Sequence, residues 1–151
     1  NININNEGTL SWTTKNEMGS LPFVVEQYKW NKWVFVGEVH GQGTPTQHDY
    51  SFKVTPHSGE NKFRVKQTGF GSAPRYSNPV TYSSLMEKPT FQISKDSKAI
   101  AFSSETAYEV YDFYGNVVKK GFSNTFDISN LNKGKYYLCY DSVVTEIEEK
   151  K

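Results

Sequence analysis

A single cysteine, Cys139, stands among 151 residues, which excludes an internal disulfide and a cysteine-clustered zinc site. Flanked by Tyr137-Leu138 and Tyr140, it reads as a small buried apolar side chain rather than a reactive thiol, which needs a basic or polar neighbourhood. No hydrophobic run approaches the ~20 residues of a membrane-spanning helix. Charge of one sign is missing as well. The net charge is +1, with 8 basic and 6 acidic residues in 1–84 and 9 and 10 in 85–151. Neither half attracts nucleic acid or an anionic membrane in bulk. The chain opens Asn1-Ile-Asn-Ile-Asn-Asn without Met, so it is expected to be a mature product whose N-terminal signal peptide has been removed.

Histidine is scarce too. His40, His48 and His57 all lie close to expected loops, and none has the one-face spacing and carboxylate support of a metal ligand, so all three are read as solvated. Asp49 could support His48 as a base, but no nucleophile is placed beside it. Gly41-Gln-Gly43 and Gly69-Phe-Gly71 precede strands rather than helices, which argues against a phosphate cradle. The expectation is a protein without catalytic residues, metal or cofactor.

What the chain has is strand-forming residues. Aromatics make up 15% of it, with abundant Tyr, Thr, Val and Ser. Thr9–Thr14, Phe23–Trp30, Trp33–Val39, Asp49–Val54, Lys62–Gln67 and Tyr76–Tyr82 alternate or run as short strands between turn signals, with no convincing amphipathic helix. Ser83–Pro89 is a break, because Pro89 cannot donate to a ladder and biases Lys88 to an extended form. Further strands are predicted near Thr90–Ser94, Ala99–Ser103, Tyr108–Phe113, Asn116–Phe122, Thr125–Ile128, Lys135–Tyr140 and Val143–Ile147. The fold class is all-β, with two consecutive antiparallel β-sandwich domains at 1–84 and 90–151, joined by a linker at 85–89.

One feature has ligand potential. With Asn31-Lys32 as a two-residue turn, Trp30 would pair with Trp33 and Tyr28 with Phe35, placing all four rings on one face of a hairpin. Such a strip could stack on sugar rings. It could equally be core, or stabilise the hairpin by roughly 0.5–1.5 kcal/mol per aromatic pair. A bulge near Trp33 would return that ring to the interior.

The second half carries two spaced motifs. Val110, Asp112, Gly115 and Val118 fit hydrophobic-x-Asp-x-x-Gly-x-x-hydrophobic. Asp127, Ile128, Ser129, Leu131, Gly134 and Tyr136 fit Asp-hydrophobic-Ser-x-Leu-x-x-Gly-x-Tyr. This pattern resembles the C-terminal sorting domain of type IX secretion cargo in Gram-negative bacteria, over roughly Lys88–Lys151. Two departures stand out: Lys88-Pro89 replaces the family's Pro-Asn-Pro, and the final strand is more acidic than usual. Residues 7–82 resemble the fibronectin type III-like (immunoglobulin-like) domains that precede such tails, through Ser11-Trp12-Thr13-Thr14, Phe23-Val24-Val25-Glu26, Tyr50-Ser51-Phe52 and Phe63-Arg64-Val65-Lys66-Gln67.

The resemblance implies an exported, non-enzymatic protein, secreted or held at the outer-membrane surface. Its tail would be recognised by the outer-membrane secretion machinery through folded surface at Asp112–Val118 and Asp127–Tyr136, with Gly115 and Gly134 serving turn geometry. The alternative is an adhesion or carbohydrate-binding module that uses the aromatic hairpin on a polysaccharide or surface protein, with the second domain a permanent structural partner.

Overall fold

A computed structural model describes residues 2–15, 17, 19–68 and 73–149. The glycine-rich piece Gly69-Phe-Gly71 therefore lies outside the described residues. The chain divides into two compact units, Asn1–Leu85 and Met86–Lys151, and no helix occurs among the described residues. Both units are antiparallel β-sandwiches.

The first unit contains β1 (Ile2–Ile4), β2 (Thr9–Thr14), β3 (Phe23–Lys29), β4 (Lys32–Val39), β5 (His48–Lys53), β6 (Gly59–Gln67), β7 (Arg75–Tyr76) and β8 (Val80–Ser84). One sheet runs β1-β2-β5 and the other β4-β3-β6, with β7 and β8 both pairing with β6. Alternation decides what each sheet buries. Leu10, Trp12 and Tyr50 point inward from the first sheet, and Phe23, Val25, Phe63 and Val65 from the second. Trp12 stacks on Tyr50 at 5.7 Å, and the Phe23 ring lies 4.8 Å from Tyr50. Each such burial contributes roughly 1.5–3 kcal/mol. Gly37 leaves room for the Phe52 ring, which a Cβ at that position would overlap.

The second unit contains β9 (Phe91–Ile93), β10 (Ala99–Tyr111), β11 (Val117–Asp127), β12 (Gly134–Tyr140) and β13 (Val143–Glu149). Its single sheet runs β11-β10-β12-β13, with β9 paired to the start of β10. The breaks expected at Ser104–Ala107 and Ser123-Asn124 do not end strands. Both polar stretches lie within long strands, at a register shift between the Ala101 and Thr106 pairs. That irregularity folds the β10–β11 hairpin onto itself. Phe126 pairs with Ile100 in the ladder, yet its ring stacks on Tyr108 at 4.0 Å. Eight residues of straight strand would separate Ile100 and Tyr108 by about 26 Å. One continuous sheet thus supplies both layers around Ile100, Phe102, Tyr108, Phe126 and Leu138.

Overpacking is the testable consequence of the Gly37–Phe52 contact. Gly37→Ala should destabilise the first unit by about 1–3 kcal/mol in denaturant unfolding. An unchanged transition would show that the Phe52 ring is not confined there.

Candidate functional site

The aromatic hairpin forms, but its register differs from the expected one. Trp30 and Asn31, with φ of 57° and 64°, make the two-residue turn. Positive φ at both central residues is the type I′ geometry that matches strand twist. Tyr28 therefore pairs with Trp33, and Glu26 with Phe35. The pairing moves by two positions, which preserves faces. Tyr28, Trp33 and Phe35 share the outward face, while Trp30 leaves the strip for the turn, where it is buried with Lys29 Nζ over its ring at 4.3 Å. The bulge lies farther along, between the Val25 and Glu26 pairs, and leaves Trp33 half-buried on the outward side.

Two further residues complete this face. The Arg64 guanidinium lies 4.1 Å from the Trp33 ring centroid and 4.0 Å from that of Tyr76, and its Nε donates to Glu26 Oε1 at 2.8 Å. Each cation–π contact is worth about 0.5–2 kcal/mol. One face of Trp33 is thus covered, and the Tyr28 ring meets it edge-on at 67°. The three rings do not make a flat sugar platform. What they expose is the Phe35 ring, 61% accessible, beside Tyr28 at 41%. Arg64 was legible as an outward residue of Lys62-Phe-Arg-Val-Lys66, whereas Tyr76 reaches it only through the fold.

In the second unit the motif residues build turns and core. Asp112 Oδ1 accepts from the amides of Tyr114 and Asn116, both at 2.9 Å, and Asp112 Oδ2 accepts from Asn116 Nδ2 at 3.2 Å. Gly115, at φ 86°, donates its amide to the Asp112 carbonyl. The Asn116 amide leads the interactions that lower the Asp112 carboxyl below its ordinary value, against a smaller opposing effect of burial. Asp127 accepts from the amide and hydroxyl of Ser129 at 3.0 Å. Leu131 and Tyr136 are buried in the core, and the Tyr136 hydroxyl donates to the Asn132 carbonyl at 2.8 Å. Gly134 starts β12 opposite Glu149 with φ 147°.

Residues 91–151 match the family model described as "Secretion system C-terminal sorting domain". The second unit carries a type IX sorting-domain sequence. No curated protein matches the chain. Among solved structures, a "Biofilm associated protein - BSP domain" is similar at 13% identity and TM-score 0.36, with 95% of this chain covering 27% of that one. The chicken CNTN1 FN1-FN3 domains are similar at 12% identity and TM-score 0.34, with 100% of this chain covering 66% of that one. The chain thus spans about a quarter of the first and just under two thirds of the second.

A sorting domain marks an exported protein, secreted or at the cell surface. Among the described residues, no helix is long and apolar enough to cross a membrane. Among the described residues, no group of three or more His, Cys, Asp or Glu side chains could hold a metal ion. In the sorting domain, the most exposed aromatics are Phe113 and Tyr114, the unspecified positions between Asp112 and Gly115.

Two polar clusters in the first unit went unread in the sequence. Asn61 is fully buried. Its Oδ1 accepts from Gln27 Nε2 at 2.9 Å and the His57 amide at 2.8 Å, and its Nδ2 donates to the carbonyls of His57, Gly59 and Tyr82. His57 is consequently buried rather than solvated, with Nδ1 2.7 Å from the Ser58 carbonyl. The second cluster is centred on Glu17, whose carboxylate accepts from Thr14 Oγ1 at 2.5 Å, the Tyr50 hydroxyl at 2.6 Å and the Gly43 amide at 3.1 Å. Burial pushes the Glu17 carboxyl upward, but these donors outweigh it and leave the group below its ordinary value. Burial, then Glu17, pushes the Tyr50 hydroxyl upward.

The native value of the Glu17 carboxyl lies below the unfolded one, so the stabilisation is complete above the unfolded value and disappears as pH falls through the native value. Glu17→Gln should therefore lower the melting temperature of the first unit near neutral pH and by much less near pH ~3. An equal loss at both would mean that the ionised carboxylate contributes nothing.

Proposed function

We propose that this chain is a non-enzymatic exported protein whose second unit is read by the outer-membrane type IX machinery while its first unit is displayed as an interaction module. The observation that carries the reading is that the match at 91–151 coincides with a folded unit, and that the motif residues are occupied in shaping it. Asp112, Gly115 and Asp127 fix turns, and Leu131 and Tyr136 fix the loop between β11 and β12. Recognition then belongs to the folded surface these residues hold, at Asp112–Val118 and Asp127–Tyr136. After transit the second unit is removed or serves surface attachment.

A second reading for the first unit rests on its outward face. Phe35 and Tyr28 are exposed beside the Arg64 stack, which suits an adhesion role. Edge-on rings and a covered indole favour the uneven surface of a protein over the flat face of a polysaccharide. Phe35→Ala would then weaken retention on the partner cell surface.

The full chain behind a cleavable export signal, in a host with the type IX apparatus, should reach the cell surface or medium and be labelled there by an impermeant reagent. Quantitative retention in the periplasm would contradict the reading.

A further inference from the structure

The turn between β10 and β11 presents Phe113 and Tyr114 at 69% and 86% exposure, with the rings edge to face at 5.8 Å and 90°. Large aromatics held this far out lose contact with water only when something covers them. The backbone that carries them is pinned by hydrogen bonds. The Asp112 carboxylate takes the Tyr114 and Asn116 amides, the Asp112 amide donates to the Asn116 carbonyl at 2.9 Å, and the Gly115 amide closes back on Asp112. Val117 and Val118, 50% and 37% exposed, continue the apolar surface beyond the turn. No charged side chain interrupts 113–118.

We propose that Phe113 and Tyr114 are the anchor by which the sorting domain docks into an apolar pocket of its protein receptor in the secretion machinery. The proposal rests on the sorting reading above and deepens it by separating two tasks within one motif. Asp112 and Gly115 set the geometry, and the two positions between them make the contact. A few aromatic anchors carry most of the energy of a protein interface, and a turn backbone already ordered loses little freedom on docking. A lipid surface is the less favoured occupant. Two rings on one turn present far less apolar area than the helix face or acyl chains that hold proteins at a bilayer, and membrane insertion needs no pinned turn.

The test compares the full chain behind a cleavable export signal, in a type IX-competent host, with three variants: Phe113→Ser/Tyr114→Ser, Phe113→Leu/Tyr114→Phe and Phe122→Ser, the last an exposed aromatic elsewhere on the same unit. The first should lose surface delivery by at least about tenfold, the scale of losing an interface anchor. The apolar-preserving pair and Phe122→Ser should be delivered as the parent is. Melting temperature is measured on each, and if the serine pair unfolds, Tyr114→Lys replaces it and should show the same loss. Delivery of a folded serine or lysine variant at the parental level would overturn the anchor and leave the sorting reading standing. Retention of the parent chain would overturn the sorting reading and the anchor with it. Cosedimentation of the parent, but not the serine pair, with phosphatidylethanolamine–phosphatidylglycerol vesicles would overturn the protein pocket in favour of lipid.

Discussion

A backbone amide that leaves a β-ladder at a turn must find another acceptor, and in the second unit aspartates supply it. Three of the connections between its strands contain one, Asp96, Asp112 and Asp141, and Asp127 ends β11 immediately before the fourth. Asp96 accepts from Ser94 Oγ at 2.6 Å and the Lys98 amide at 3.2 Å, Asp112 from two amides, and Asp127 from the Ser129 amide. For Asp96 the Ser94 hydroxyl, and for Asp112 the Asn116 amide, lead the effects that favour the ionised form. These short side chains do locally what a longer loop would otherwise require, and they allow a 66-residue unit to hold five strands.

The turns position the strands, and the aromatic core then decides how they fold. β10 is too long to lie flat against its partners, and the Tyr108–Phe126 stack brings its two halves face to face. Phe102 sits within 6 Å of Tyr108, Phe126 and Tyr140, which ties β12 into the same cluster. Motif residues Leu131 and Tyr136 enter that core from the far side of the β11–β12 loop. A sorting sequence built this way is chiefly a folding instruction, and the surface left over is what another protein can read.

Strand identity was legible wherever apolar and polar residues alternate, as in Thr9–Thr14 and Lys62–Gln67. The turn role of Gly115 and the strand that carries Tyr136 were legible as well, whereas Asp112 and Asp127 read as strand residues and only the fold shows them bonding turn amides. Three features resisted reading, each for a physical reason. Ser104–Ala107 looks like a loop because it is mostly polar, but a strand that bends across a sandwich can carry polar residues through the bend. Trp30 looks like a strand aromatic, because a bulky residue at positive φ is rare and local propensity argues against it. Asn61 and His57 look exposed by type, and only the tertiary network that satisfies them makes burial affordable. In the candidate surfaces the same division holds: Phe35 could be placed outward by alternation, while the Arg64 stack between Trp33 and Tyr76 joins strands far apart in sequence.

The central claim is that the motif carboxylates act by holding the fold. The direct measurement is the thermal unfolding of the full chain carrying Asp112→Ala or Asp127→Ala, followed through the second unit. Each substitution removes the carboxylate that pins a turn, so both should lower that unit's transition while leaving the first unit's unchanged. Transitions identical to the parent would contradict the account, because the aspartates would then be contact residues that the fold does not need.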